Sequence, residues 1–253
     1  MRRNIKLRLL LSTTILLLIL SATSASVIYV KPTGSDVNSG LSWSLAKKTV
    51  QAGINAALYA DEVWVSSGTY TGCVTMQSSV SLYGGFVGTE TNRDMRNWKD
   101  NRTILDGNKT GSVITVPEGS SSTIDGFIIR NGKAEQGGGI RLIKAWARIE
   151  HNVIENNEAD YIAGASPGED GFFFGGGIYC FWGKGYIINN IIRNNTCGGC
   201  GESGCEDRVA GGGIYISQYS SIRVLSNTII GNKAYLETDT PSSGHHELSL
   251  IHI

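Results

Sequence analysis

The chain has 253 residues, with 22 basic and 22 acidic side chains, 33 glycines and only 4 prolines. Its length suits one large or two ordinary domains, and the balanced charge excludes nucleic-acid binding through a basic surface. Glycine without a collagen period, set among many Val, Ile and Tyr pairs, indicates a turn-rich β protein.

Residues 1–25 read as a secretory signal peptide. Arg2, Arg3, Lys6 and Arg8 precede an apolar run over residues 9–20, and Thr23, Ser24 and Ala25 offer small residues for cleavage. The run is short for a membrane span of about 20 apolar residues. Those four cations belong to the 22, so the rest of the chain carries 18 basic against 22 acidic groups, a net charge of −4. Secretion or display on a bacterial surface is the expected location.

Residues 26–70 are expected to form an N-terminal cap and first strand. Val27 to Val30 alternates like an edge strand, and residues 32–40 are polar and turn-rich. The apolar spacing at Val50, Ile54, Ala57 and Leu58 predicts a helix within residues 45–58, with Ser44 as its N-cap. A short helix there would cover the open end of a solenoid. Residues 63–65 follow as a strand. Residues 80–86, 103–105 and 113–116 read as further strands, with Gly84-Gly85 and Asp106-Gly107 as turns. Residues 88–100 form a polar excursion carrying Arg93, Asp94, Arg96 and Trp98, and residues 117–122 read as a loop.

From Ile124 the chain repeats itself. IDGFIIRNGKAEQGGGIRLI is followed by IEHNVIENNEAD and GGGIYCFW, then by IINNIIRNNTC and GGGIYISQ, then by VLSNTIIGNKA. Aligned, Ile124, Ile149, Ile187 and Val224 fall in register at offsets of 25, 38 and 37 residues. The excess lies in two inserts, residues 160–174 and 198–210, which a solenoid tolerates because each rung touches only its neighbours. The expected fold is all-β: a right-handed single-stranded parallel β-helix whose rungs span residues 71–234. Residues 235–253 are expected to be a disordered or artefactual truncated tail, because ELSLIHI looks like translated adapter sequence. His245, His246 and His252 are accordingly not taken as metal ligands.

The turn between the two apolar pairs of each unit holds Phe127, Asn152, Asn190 and Asn227. Stacked at about 4.8 Å, Asn152, Asn190 and Asn227 would form an amide ladder. Asn156, Asn194 and the glycine triplets at 137–139, 175–177 and 211–213 are read as structural too. If Ile140, Ile178 and Ile214 point inward, then Arg141, Tyr179 and Tyr215 point outward as a column, with Phe181 and Trp182 nearby. Aromatic rings stack against the C–H faces of sugars, so this column is the candidate carbohydrate-binding surface. Cys197, Cys200 and Cys205 cluster in a glycine-rich insert. In an exported chain this favours one disulfide within the trio, pairing open, over a metal site lacking a fourth ligand. Cys180 should point inward, and Cys73 stands alone near the cap.

The words YVKPTGSDVNSGLSW and DEVWVSSGTY, with SVSLYGGFVGTETNRDMRNWKDNRTILDGN after them, are similar to the N-terminal region of secreted right-handed β-helix proteins of the pectate-lyase-like superfamily. The GGGI and NxxxxN words resemble, more loosely, the repeats of polymorphic outer-membrane proteins. The resemblance spans nearly all of residues 27–234. It implies fold and secretion more than activity, since this architecture carries lyases, hydrolases, adhesins and passenger domains. For a lyase it implies calcium held by loop carboxylates, here Asp160, Glu169, Asp170, Glu202, Glu206 and Asp207. It also implies an Arg or Lys base, with Arg141, Arg148, Arg193 and Arg208 available. No local motif singles out one base, and the adjacent Asp pair of hydrolytic relatives is missing from the candidate face. Catalytic residues are therefore unassigned and calcium is the one cofactor considered. The expectation is a monomeric surface protein that binds a polysaccharide or cell-surface glycan. A polysaccharide lyase or glycoside hydrolase, and the structural stalk of a larger surface protein, are the alternatives. Membrane attachment is expected only through a C-terminal anchor beyond this chain.

Overall fold

The computed structural model describes residues 25–160, 172–199 and 208–236. Apart from one short helix and two 3-10 turns, the described elements are strands, and their pairings are parallel. Sheet 1 has seven strands: Val27–Val30, Glu62–Ser66, Ser81–Phe86, Ser121–Asp125, Trp146–Glu150, Lys184–Ile188 and Ser221–Leu225. Sheet 2 has six: Gly68–Thr71, Thr103–Asp106, Ile128–Arg130, Val153–Glu155, Ile191–Arg193 and Thr228–Ile230. Sheet 3 has five, from Val74–Thr75 through Ile114–Val116, Ile140–Ile143 and Ile178–Phe181 to Ile214–Ile216. Sheet 4 stacks Lys133–Ala134, Glu158–Ala159, Thr196–Gly199 and Lys233–Leu236, and a two-stranded pair joins Phe172–Phe174 to Arg208–Ala210. The regular rungs visit sheets 3, 1, 2 and 4 in turn, which is the circuit of a parallel β-helix.

Register follows the aligned sequence. Ile124, Ile149, Ile187 and Val224 are direct partners, as are Ile140, Ile178 and Ile214. The inward isoleucines are essentially excluded from solvent and form one continuous core with Leu82, Leu105, Ile129, Ile154 and Ile192. A small satellite core of Ala159, Phe173, Cys197 and Ala234 lies under sheet 4.

The corners explain the punctuation of the repeat. Between sheets 3 and 1 the turn residues Gly119, Lys144, Trp182 and Tyr219 all have positive φ (77, 43, 52 and 64°). Between sheets 1 and 2 the same conformation falls on Gly126, His151, Asn189 and Ser226, and between sheets 2 and 4 on Asn131, Asn156, Asn194 and Gly231. Asn and Gly suit such positions because the left-handed region costs other residues about 1 kcal/mol or more. The glycine triplets return the chain at close range. A Cβ on Gly139 would lie 2.4 Å from the Gly177 carbonyl, and one on Gly177 2.5 Å from that of Gly213.

Some expected elements shift. The capping helix, α1, is Val50–Ala56, capped by the Thr49 hydroxyl, which accepts from the Ala52 amide. Upstream, Ser42 rather than Ser44 caps a separate 3-10 turn at Trp43–Leu45, and Leu45 and Leu58 are exposed. The helix buries Val50, Gly53 and Ile54 at the end of the stack; a Cβ on Gly53 would lie 2.5 Å from Val30 Cγ2. Gly84 and Gly85 belong to a strand, where the register with Glu62–Ser66 shifts, so they form a bulge and not a turn. The expected loop over 117–122 ends early because Ser121 already pairs with Trp146.

Candidate functional site

The outward column of sheet 3 forms as expected: Arg141 pairs with Tyr179, and Tyr179 with Tyr215. The aromatic rings, however, face each other. Tyr179 stacks on Tyr215 at 5.6 Å and 10°, on Phe181 at 6.4 Å and 2°, and on Phe174 at 6.4 Å and 7°. Phe174 also stacks on Tyr215 at 4.4 Å. These separations leave no room for a sugar between rings, and Tyr179 is only 6% exposed. The sequence reading of Tyr179 as a solvent-facing platform is thereby corrected: it is an outer-face core residue. Burial and the neighbouring Tyr215 push its hydroxyl above its ordinary pKa, against the pull of Arg141.

Free ring faces lie one step further along the rung. Trp182 is 47% and Tyr219 74% exposed, and their rings meet at 5.3 Å and 60°. Both sit at the positive-φ corner where an earlier rung has Gly119. An open pocket of about 620 Å³ lies between the stacked rings and this corner, lined by Phe181, Tyr215, Ser217, Gln218, Tyr219 and Ser220 among others. Ser217 Oγ accepts from the Trp182 amide, and Ser220 Oγ from the Gly183 amide, so two hydroxyls fix the corner backbone. Arg141 lies apart, over a shallow 230 Å³ hollow with Ser112, Thr115, Glu135 and Gln136. Of the sequence-derived set, the pocket therefore unites Phe181, Tyr215 and Tyr179 and leaves out Trp182, which reaches it only through its ring contacts with Phe181 and Tyr219, and Arg141. Tyr219 and Phe174 were missed; Tyr219 aligns with Trp182 only once the strand register places them at one corner.

The calcium reading changes where it falls on described residues. Asp160 accepts from Lys133 at 2.8 Å, and Lys133 also reaches Glu158 at 3.2 Å, which Lys109 holds at 2.7 Å. Burial would raise the Glu158 carboxyl, but hydrogen bonds with Lys109, Asp160 and Lys133 hold it down at about 2. Asp160 is thus committed to an ion-pair network. Glu169, Asp170, Glu202, Glu206 and Asp207 lie outside the described residues, as do Cys200 and Cys205. Of the proposed bases, Arg148 pairs with Glu150 and Arg193 with Glu155. Among the described residues one group has metal-like proximity, Asp125, Glu150 and His151, whose donor atoms lie within 4.8 Å of one another. Its carboxylates are already engaged by Arg96 and Arg148, and His151 stacks on Trp98 at 4.9 Å. Two guanidiniums beside the ligands oppose a cation, so this group serves to pin the 88–100 excursion.

Cys197 is the one member of the expected disulfide trio within the described residues. It is free and fully buried in the satellite core, with Sγ 2.9 Å from the Phe173 carbonyl, and burial pushes its thiol up to about 12. The two-residue strand period turns it inward beside Ala159, its ladder partner. Cys180 is likewise buried and free, whereas Cys73 is free and exposed.

The asparagines are structural. Each of Asn152, Asn190 and Asn227 accepts the backbone N–H of the preceding rung through Oδ1 (3.0, 3.0 and 2.9 Å, from Phe127, Asn152 and Asn190). Their Nδ2 groups donate to the carbonyls of Ile124, Ile149 and Ile187. A second ladder of the same kind runs through Asn157, Asn195 and Asn232 at the next corner. Asn156 and Asn194 are not its rungs; they hold the positive φ just before it.

No protein-family model, curated protein or solved structure matches the chain.

Proposed function

We propose that this chain is an exported β-helix protein that binds a polysaccharide at the corner formed by Trp182 and Tyr219. The observation that carries the reading is that two bulky aromatics occupy positive-φ positions and expose their rings, Tyr219 lining the pocket and Trp182 packing against Tyr219. Backbone strain of about 1–3 kcal/mol per residue persists where it serves a site. Sugars are bound by aromatic faces for their C–H surfaces and by hydroxyl and amide groups for their hydroxyls. Trp182 and Tyr219 supply the first, and the exposed Gln218 in the pocket lining supplies the second. The resemblance to the pectate-lyase-like superfamily and the signal-like first 25 residues support the extracellular, glycan-directed part of the reading. No described observation favours lyase chemistry over binding.

The test is a glycan panel probed with the parent chain and with Trp182→Ala and Tyr219→Ala. Binding of one glycan class, weakened at least tenfold by each change while the far-ultraviolet spectrum and melting midpoint hold, is the expected result. Failure of the parent to bind any glycan, or binding that both variants retain in full, overturns the proposal.

A further inference from the structure

The outer face of sheet 2 is symmetric about its middle. Strand register aligns one outward column as Thr69, Ile104, Ile128, Val153, Ile191 and Thr228. It reads the same in both directions: threonine at each end and aliphatic residues between. The next outward column runs Thr71, Asp106, Arg130, Glu155, Arg193 and Ile230. Its charged part alternates in sign, so reversing the order exchanges every sign. Inward neighbours such as Leu105, Ile129, Ile154 and Ile192 are buried, which fixes both columns on the outside. Ile191 is 40% and Ile230 62% exposed, and the Arg130 and Arg193 side chains stay partly open although they pair with Asp106 and Glu155.

We propose that this face is the contact between two copies of the chain. The two-fold axis runs along the strand direction, midway between the strands Ile128–Arg130 and Val153–Glu155. Such an axis preserves position along a strand and reverses the order of rungs, so each column meets itself inverted. Ile104 then opposes the partner's Ile191, and Ile128 the partner's Val153. Asp106 opposes the partner's Arg193, and Arg130 the partner's Glu155. All four charged positions meet the opposite sign. Moving the axis onto the Arg130 strand opposes Arg130 to its own copy and Asp106 to the partner's Glu155, and stacking the copies in the same direction opposes every like pair. The charge order thus selects one arrangement. Six strands spaced at about 4.8 Å give a strip roughly 24 by 10 Å, well below the ~800 Å² per partner of a standard interface, so the association is weak and reversible.

Sedimentation equilibrium of the full chain from micromolar to millimolar concentration is the first test. A rise from monomer to dimer mass is expected. Val153→Lys, which sets an unpaired charge beside the axis on a surface position, shifts the midpoint at least tenfold. The register is tested by oxidative cross-linking in a Cys73→Ser parent. An equimolar mixture of Ile104→Cys and Ile191→Cys chains cross-links above the parent level. Ile104→Cys alone does not, since that residue lies about 14 Å, or three rung spacings, from its own copy. A monomer at every concentration, a dimer indifferent to Val153→Lys, or cross-linking by Ile104→Cys alone overturns the proposal.

Discussion

Trp182 and Tyr219 hold backbone angles that glycine would hold at lower free energy. Trp182→Gly is therefore expected to lower the melting midpoint by no more than Trp182→Ala does, while removing glycan binding; separate melting and binding curves read the two effects. The buried ladder asparagines behave in the opposite way. Each accepts from an amide and donates to a carbonyl of the preceding rung, and truncation removes both bonds at once. Asn195→Ala, which loses the bonds to the Asn157 amide and the Ile154 carbonyl, should destabilise by about 2–3 kcal/mol in urea titration. Asn194→Gly, one residue earlier at φ 53°, should be neutral or slightly stabilising. The cysteines divide by burial, so a native-state alkylating agent is expected to modify Cys73 and spare Cys180 and Cys197. The ladder partner and the free thiol were not both legible from residue types. NN and CxxC are ambiguous until register decides which residue turns inward.

At the scale of elements, sheet 4 is tied by a shared network of Lys109, Lys133, Glu158 and Asp160. Glu158 has a depressed pKa, so its stabilisation is present above its ordinary value of 4.5 and is lost as pH falls towards about 2. Lys133→Met removes the cation shared by Glu158 and Asp160. Acid unfolding followed by circular dichroism should then begin at a higher pH than in the parent, with stability at neutral pH reduced as well. The capping helix shows why local pattern misled. The apolar spacing over residues 45–58 is helical, but α1 is one short segment because Ala46 packs into the turn before it and Leu58 has nothing to cover.

For the whole molecule, a solenoid distributes stability through neighbour contacts. Ile154→Ala, fully buried between two rungs, is expected to cost about 3 kcal/mol, and Ile229→Ala in the last described rung less than half of that. Chemical denaturation of the two variants compares them directly. The symmetric face of sheet 2 belongs to this scale as well. Its two columns are assembled from six strands spread over more than 150 residues of sequence, so no local window contains the pattern.

Sequence alone determined the circuit. The spacing of isoleucines, the Asn and Gly words and the triplets follow from a two-residue side-chain period and from the few residues that accept positive φ, both local constraints. Tertiary structure alone decided which outward residues remain available. Tyr179 is outward yet covered, Trp182 and Tyr219 are outward and free, and Asp160 is held by a lysine 27 positions away. Stacking of successive rungs at about 4.8 Å determines those outcomes, because it sets residues from different repeats closer together than residues within one repeat.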